Sequence, residues 1–250
     1  MLSEIVVVLS IAYACLILTF AAGAIASRFR QNRGYRPRVS VIVAARNEEE
    51  HIEECLESLL RLTYPRELLE IIVIDDRSSD ATGSIVEKYA KSNPHLRLLR
   101  SVPEEGHLRG KTNAVTQGIE SATGEIFMFT DADCRVPEGW VEGTVQHYAD
   151  ERVGTVAGYT SLRGNDWFSR MQALDWFVLS SAAAGTARIG FPTTAVGTNL
   201  TVRRQAYEKV GGYRRIPFSV TEDYALFHAV TAGGKYRARI PMDRGTLVES

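Results

Sequence analysis

Apolar and polar residues alternate along this chain in blocks. One long apolar block opens the sequence, and shorter blocks follow after residue 38. The shorter blocks are continuous runs rich in β-branched side chains, which is typical of strands buried on both faces of a sheet. The predicted strands are Val39–Val43, Ile71–Ile74, Leu96–Leu99 and Ile126–Thr130.

Helical periodicity fills the segments between these strands. Asn47 and Glu50 form a capping-box pattern before the first helix, and Lys111–Ala122 is predicted to be a later helix. Strand–helix alternation of this kind predicts an α/β fold, in which helices cover both faces of a mostly parallel sheet. Ligands bind beyond the carboxyl ends of the strands in such sheets, so the residues at those ends are candidates for function.

The second half of the chain is less regular. Asn165–Ala184 is predicted to be a helix rich in aromatic and aliphatic side chains. Two interpretations stay open: the helix packs in the core, or it is an interfacial helix that presents a lipid or glycan acceptor. Gly211-Gly212-Tyr213 predicts a turn, and Thr221 is a predicted N-cap for a helix that begins with Glu222 and Asp223.

The long apolar block predicts a membrane anchor. The residues from Ile5 to Ala26 carry no charge, and as a helix they would span roughly 33 Å, enough for a bilayer core of about 30 Å. A cleaved signal peptide and a buried helix are the alternatives. A signal peptide would have a basic leader, but the charged residue before this block is Glu4. Five arginines follow the block and predict that the rest of the chain lies on the cytoplasmic side. They are Arg28, Arg30, Arg33, Arg36 and Arg38.

Net charge, cysteine spacing and glycine motifs each argue against one class of protein. Lysine and arginine number 29 against 30 acidic residues, a formal net charge of −1, so bulk electrostatics does not recruit nucleic acid. The three cysteines are scattered and have no metal-ligand spacing, which argues against a disulfide framework and favours a reducing compartment. No G-x-G-x-x-G follows a predicted strand, so a dinucleotide site is poorly supported.

The strongest candidate chemistry lies in Asp131-Ala132-Asp133, directly after the fourth strand. Two carboxylates at this position form a hard, oxygen-rich site suited to Mg²⁺ or Mn²⁺. A divalent cation on a diphosphate offsets the charge that develops as the phosphate leaves. A solvated pair of loop acids is the alternative.

Two further motifs follow strands or open helices. The run from Asp75 to Asp80 follows the second strand, where Ser79 or Asp80 is expected to cap the next helix and the preceding acids exceed what capping needs. Lys111 opens a helix whose positive end favours anions, so it is a candidate contact to phosphate or base as well as an ordinary solvated lysine. An acid such as Asp223, beside a metal-held donor, is what deprotonating a hydroxyl nucleophile requires.

Together these motifs resemble glycosyltransferase family 2, the inverting nucleotide-sugar transferases with a Rossmann-like GT-A fold. The resemblance covers about Arg38 to Ile240. The segments that carry it, in order, are VSVIVAARNEEEHIEECLESLL, IIVIDDRSSDAT, GKTNAVTQGIESATGE, FTDADCRV, GTNLTVRRQAYEKVGGY and TEDYAL.

The resemblance implies an enzyme, a hexosyl- or N-acetylhexosaminyltransferase. Its donor would be a nucleotide-sugar, most often of uridine, and its acceptor a glycan or polyprenyl phosphate beside membrane lipid, with no nucleic acid partner. Asp223 would be the general base in a single displacement that inverts the sugar. The implied donor contacts are Ala44, Glu48, Asp75 or Asp76, Lys111 and Asp131; Asp133 would hold Mg²⁺ or Mn²⁺ with help from Asp131; the acceptor side would include Gly197, Asn199 and Glu222.

The expected organisation is an N-terminal transmembrane anchor (1–27), a basic juxtamembrane linker (28–38) and a GT-A domain (39–250). The domain would divide into a nucleotide-binding half at about 39–135 and an acceptor half at about 136–250. Family members that polymerise β-glycans carry Q-x-x-R-W after T-E-D, and no such motif occurs before Ser250. We therefore expect either a C-terminally incomplete synthase or a simpler member of the family.

Two other functions fit less well. A sugar nucleotidyltransferase has a similar sheet, but it needs a glycine-rich and basic signature after its first strand, where this chain has the acidic AARNEEE. An inactive scaffold in a membrane complex would not need its acids, and here all of them are present.

Overall fold

The computed structural model describes residues 2–26, 34–161, 164, 166–188, 190–193, 195 and 197–250. The strands are β1 (Val39–Ala45), β2 (Leu69–Asp75), β3 (Leu96–Arg100), β4 (Ile126–Asp131), β5 (Val153–Ala157), β6 (Thr160–Ser161), β7 (Leu200–Arg203), β8 (Arg237–Arg239) and β9 (Val248–Glu249). The helices are α1 (Leu2–Ala26), α2 (Ile52–Leu60), α3 (Thr82–Ser92), α4 (Gly110–Ser121), α5 (Trp140–Val145), α6 (Trp167–Arg188), α7 (Arg204–Lys209) and α8 (Glu222–Ala232).

Seven of the strands form one sheet in the order β3-β2-β1-β4-β7-β5-β8. β7 runs antiparallel to both of its neighbours, and the other pairings are parallel. The sheet combines strands from both halves of the predicted domain, and the mostly parallel α/β fold is confirmed.

Helices cover both faces of the sheet, because successive side chains of a buried strand point to opposite sides. Val41 and Val43 pack toward α2, α3 and α5, in a core that includes Leu56 and Trp140. Ile42 points to the other face, where α4, α7 and α8 supply the packing partners.

The chain order places a binding crevice between β1 and β4. From β1 the chain builds outward through β2 to β3, then returns to place β4 on the opposite side of β1. This reversal is the topological switch point at which α/β sheets bind ligands. Ala44 pairs with Asp131 across it, and Ala45 pairs with Asp75 on the other side of β1.

The predicted capping box before α2 is wrong. α2 begins at Ile52 with His51 in the N-cap position. Asn47 lies earlier, with a φ of 55°, and its side-chain oxygen accepts hydrogen bonds from the backbone N–H and hydroxyl of Ser79 (2.8 and 3.2 Å). Asparagine tolerates this left-handed conformation, so here it joins two loops instead of capping a helix.

α6 corrects the core interpretation of the aromatic segment. Asn165 lies outside the described residues, and the helix begins at Trp167. Trp167 is 75% exposed and Phe168 is 64% exposed. Within α6 the buried residues are the small ones near its end, Ala183–Gly185.

α1 is a helix that packs against α6, and its described apolar side chains are largely exposed. Across the described ranges, no helix combines the length and apolarity that a membrane crossing requires. The predicted N-terminal transmembrane span is therefore not supported. Residues 28–33 of the predicted linker lie outside the described part of the chain, so the orientation inferred from the arginines stays a prediction.

Candidate functional site

Two adjoining cavities open at the carboxyl edge of the sheet, and both are lined by Ala44, Lys111 and Asp131. The larger has a volume of about 290 Å³, and its other polar lining residues are Arg46, Glu48, Asp76 and Asp133. The smaller has a volume of about 20 Å³ and is lined on its far side by Gly197, Tyr213, Glu222 and Asp223. Carboxylates from four separate segments therefore meet around one cleft.

Lys111 and Asp131 form the wall between the two cavities. Asp131 is the last residue of β4, and Lys111 is in the first turn of α4. The Lys111 ammonium lies 2.5 Å from Oδ1 of Asp131 and 3.7 Å from Oε1 of Glu222. Burial lowers the pKa of Lys111, but the charge and hydrogen bond of Asp131 outweigh it and the net pKa is raised. The lysine is thus held as a cation between the cavities.

Asp133 and Glu48 concentrate negative charge in the larger cavity. Burial raises the pKa of Glu48, and the charges of Asp133 and Asp131 raise it further. The thiol of Cys134 donates to Oδ1 of Asp133 at 3.4 Å. Mutual repulsion of this kind favours a bound cation.

The carboxylates of the larger cavity fit Mg²⁺ or Mn²⁺ when the cation binds together with substrate phosphates. Among the residues that the structure describes, no three His, Cys, Asp or Glu side chains are grouped as a metal site. Asp131 and Asp133 instead offer two carboxylates on one cavity. Mg²⁺ is commonly bound by one or two carboxylates together with substrate phosphates and water, so these residues fit a cation that arrives with a diphosphate.

Asp75 and Asp76, at the end of β2 and directly after it, have different surroundings. Oδ1 of Asp75 accepts a hydrogen bond from the backbone N–H of Ser78 at 2.9 Å, and a Cβ on Gly83 would lie 2.5 Å from its Oδ2. Asp76 lines the larger cavity, where its Oδ1 accepts from the Ser101 hydroxyl at 2.7 Å. Of the two candidates, Asp76 faces the cleft and Asp75 holds the loop.

The capping prediction for this loop is wrong, because the N-cap of α3 is Ala81, without a side-chain capping hydrogen bond, and Asp80 lies one residue earlier. Its Oδ1 accepts a hydrogen bond from the backbone N–H of Thr82, the first residue of α3, at 3.0 Å. Its Oδ2 accepts from the N–H of Glu49 at 3.1 Å. Asp80 thus joins the start of α3 to the loop after β1.

Arg46 and Tyr213 are among the lining residues that had not been predicted as site residues. Arg46 follows β1 directly, and its guanidinium lies 3.9 Å from Oδ2 of Asp76. Tyr213, predicted only as part of a turn, is buried in the wall of the smaller cavity. The position of Arg46 at a strand end was a usable signal. The sequence offers no comparable signal for Tyr213, because its place depends on how the Gly211-Gly212 turn folds back.

Asp223 and Gly197 are in close contact at the smaller cavity. Asp223 lies in the first turn of α8, and the backbone N–H of Tyr224 donates to its Oδ1 at 2.8 Å. Its Oδ2 occupies the space beside Gly197, where a Cβ would lie 2.6 Å away. Burial raises the pKa of the neighbouring Glu222. Gly197, Glu222 and Asp223 thus line the same cavity.

Asn199, a predicted acceptor-side residue, lines neither of the two cavities. It is 1% exposed, and its Oδ1 accepts a hydrogen bond from the indole N–H of Trp140 at 3.0 Å. Its Nδ2 donates to the carbonyls of Tyr159 (3.0 Å) and Thr246 (2.6 Å). A buried amide with these partners holds three segments together and cannot contact an acceptor.

Comparison with known proteins identifies relatives of this chain. The family model described as "Glycosyl transferase family 2" matches residues 40–211. Beta-monoglucosyldiacylglycerol synthase of Trichormus variabilis is 34% identical over 205 residues, covering 79% of this chain and 42% of that protein. The probable glycosyltransferase YdaM of Bacillus subtilis is 30% identical over 194 residues, covering 74% of this chain and 45% of that protein. The chain thus spans less than half the length of these two curated relatives.

A solved structure shares the fold. The mannosyltransferase PcManGT from Pyrobaculum calidifontis, in complex with GDP-Man and Mn²⁺, aligns with a TM-score of 0.73 at 27% identity. The alignment covers 100% of this chain and 68% of that one.

Proposed function

The chain belongs to glycosyl transferase family 2, and from that premise we propose that it moves a sugar from a nucleoside-diphosphate donor to a hydroxyl acceptor with inversion. The observation that carries this proposal is the place of Lys111. Its ammonium bridges Asp131 and Glu222 at the wall shared by two cavities. A donor in the larger cavity would therefore adjoin a base in the smaller one.

The larger cavity is the proposed donor site. Asp76 would accept a hydrogen bond from the base or ribose, with Ala44 and Glu48 along the nucleotide. Lys111 would contact the diphosphate, since its raised pKa keeps it charged. We propose uridine as the base, and the GDP-Man in the PcManGT complex makes guanosine the alternative to test.

Asp131 and Asp133 would hold Mg²⁺ or Mn²⁺ with the diphosphate. When bound, the cation would supply positive charge that offsets the charge of the leaving group. Asp76 and Lys111 would orient the donor, and Asp131 and Asp133 would hold the cation beside them.

Asp223 is the proposed general base. It would accept the proton of the acceptor hydroxyl as that oxygen attacks the anomeric carbon and the bond to the diphosphate breaks. A base on the side opposite the leaving group requires a single displacement, so an α-linked donor would give a β-linked product. Gly197 leaves room for the Asp223 carboxylate at this point.

The proposed acceptor is a glycan or a lipid-linked hydroxyl at a membrane surface. Two observations support the membrane. The aromatic side chains at the start of α6 are exposed, and α1, which packs on α6, also exposes apolar side chains. One relative bears the name of a synthase of monoglucosyldiacylglycerol, which is a lipid.

A donor panel tests this proposal. The full chain is incubated with UDP-glucose, UDP-N-acetylglucosamine or GDP-mannose, Mn²⁺ and extracted membrane lipids or glycans. We expect acceptor-dependent release of nucleoside diphosphate and a glycosylated product. Pyrophosphate released from a nucleoside triphosphate and a sugar phosphate would indicate a nucleotidyltransferase instead. No turnover with any donor would favour an inactive scaffold.

A further inference from the structure

A third cavity, of about 350 Å³, lies where the end of α6 meets β8. Three arginines line it: Arg188 at the end of α6, and Arg237 and Arg239 in β8. None of the residues that line the two active-site cavities lines this one. β8 enters the sheet at Arg237, which pairs with Val153 at the start of β5. The cavity is therefore lined along the whole of β8, the last strand of the sheet, and is separate from the cleft around Asp131.

The positive charge of this cavity is poorly balanced. None of its described lining residues is acidic. Arg239 has partners, among them Asp150 at 3.9 Å, so the uncompensated charge is that of the other two arginines. Arg188 and Arg237 form no ion pair with any carboxylate in the described part of the chain.

Two lysines add to the charge beside the cavity. The Lys235 ammonium lies 5.4 Å from the ring centroid of Tyr236, which lines the cavity. The side chain of Lys235 lowers the pKa of Lys209, first through a hydrogen bond between the two and then, after the effect of burial, through the repulsion of like charges. Such repulsion is relieved when an anion binds nearby.

The mouth of the cavity is open. Gly190 and Gly234 line it with φ values of 94° and 66°. No atom lies within 4 Å of the position that a Cβ would take at either residue. With a volume of about 350 Å³, the cavity has room for a ligand larger than a single ion.

We propose that this cavity, which we name the arginine pocket, binds a phosphate-bearing ligand. The planar guanidinium group donates parallel hydrogen bonds that match phosphate oxygens, so two unpaired arginines on one cavity favour this chemistry over a carboxylate or a neutral glycan. The phosphate could belong to an anionic lipid or to a molecule in solution. The pocket is separate from the proposed active site, and the inference does not depend on the activity.

The test compares a double variant with a matched control on the full chain. Arg188→Gln with Arg237→Gln removes two charges from the pocket. Arg61→Gln with Lys88→Gln removes two charges from exposed positions elsewhere. Binding of inorganic phosphate is measured by calorimetry. Binding to vesicles is measured by sedimentation, with phosphatidylcholine alone or mixed with phosphatidylglycerol. Melting temperatures establish that all proteins are folded.

We expect the pocket variant to bind phosphate roughly tenfold more weakly than the wild type and the control variant to bind it normally. If phosphatidylglycerol strengthens vesicle binding only when the pocket is intact, the phosphate that binds the pocket belongs to a lipid headgroup. If the pocket variant no longer binds phosphate but phosphatidylglycerol has no effect on vesicle binding, the natural ligand is a soluble phosphate compound. Equal loss in both variants, or no phosphate binding by the wild type, would overturn the proposal.

Discussion

Gly197 and Asp223 are packed so closely that a single methyl group would not fit between them. A Cβ at Gly197 would lie 2.6 Å from Oδ2 and 3.0 Å from Cγ of Asp223. Any side chain at residue 197 would therefore move the carboxylate that we propose as the base. The requirement for glycine here is set by a residue 26 positions later in the chain.

Gly197→Ala should lower turnover by about 10²-fold, because a misplacement of the base by about 1 Å costs that much. Affinity for the donor should change little, since Gly197 lines the smaller cavity alone. Gly139→Ala is the matched control, because no atom lies within 4 Å of its added Cβ. Steady-state kinetics of both variants check the prediction, and equal rates would show that the contact does not matter for catalysis.

Asp223→Asn should reduce turnover by about 10²-fold or more, since the amide cannot accept the proton of the acceptor hydroxyl. The substitution keeps the shape of the side chain, so binding of nucleoside diphosphate should persist. Turnover and calorimetric binding are measured on the same preparation. Unchanged turnover would reject Asp223 as the base.

Asp133→Ala should abolish the benefit that Mn²⁺ gives to donor binding. We expect the wild type to bind the donor more tightly with the metal than without it, because Asp131 and Asp133 offer it two carboxylates on the donor cavity. The variant should bind equally in both conditions. A metal effect of the same size in the variant and the wild type would contradict the role of Asp133.

Asp76→Ala and Asp75→Ala should affect different properties, donor affinity in the first variant and stability in the second. Asp76 lines the donor cavity, so its loss should weaken donor binding by roughly tenfold. Asp75 is buried and bonded to the N–H of Ser78, so its loss should cost about 2 kcal/mol of stability. Donor titration and chemical denaturation of both variants test this. A larger loss of affinity in Asp75→Ala would reverse the assignment.

Trp167→Ser with Phe168→Ser should weaken binding to phospholipid vesicles without lowering the melting temperature, because both side chains are exposed. Removing two exposed aromatic rings from a bilayer contact should reduce binding about tenfold or more. Val102→Ser is the control, since Val102 is an exposed apolar residue elsewhere. Vesicle binding that does not change in the double variant would remove α6 from the proposed membrane contact.

Several parts of the site could be predicted because they follow strand ends. β1, β2 and β4 are runs of apolar residues long enough to be buried on both faces, so their ends were predicted to within one or two residues. Asp131 comes last in one of them, and the loops after β1 and β2 carry Glu48 and Asp76. The parallel sheet then brings these acids to one edge.

Other parts could not be predicted, because they depend on segments that are distant in sequence. Asn199 lies in a motif that suggests an acceptor contact, yet it is buried by Trp140, Tyr159 and Thr246. The aromatic residues of α6 resemble a core helix in sequence but are exposed in the structure. Burial is a property of the whole fold, so composition could not decide either case.

The sequence by itself determined the α/β architecture and the order of its acidic motifs, since hydrophobic periodicity and strand ends are local properties of the chain. Only the tertiary structure decided which acids share a cleft. It turned Asp76 toward the cavity and Asp75 into the loop, set Lys111 between Asp131 and Glu222, and lined a separate pocket with arginines from α6 and β8. These positions depend on how segments far apart in sequence pack against one another, and no local sequence pattern predicts that packing.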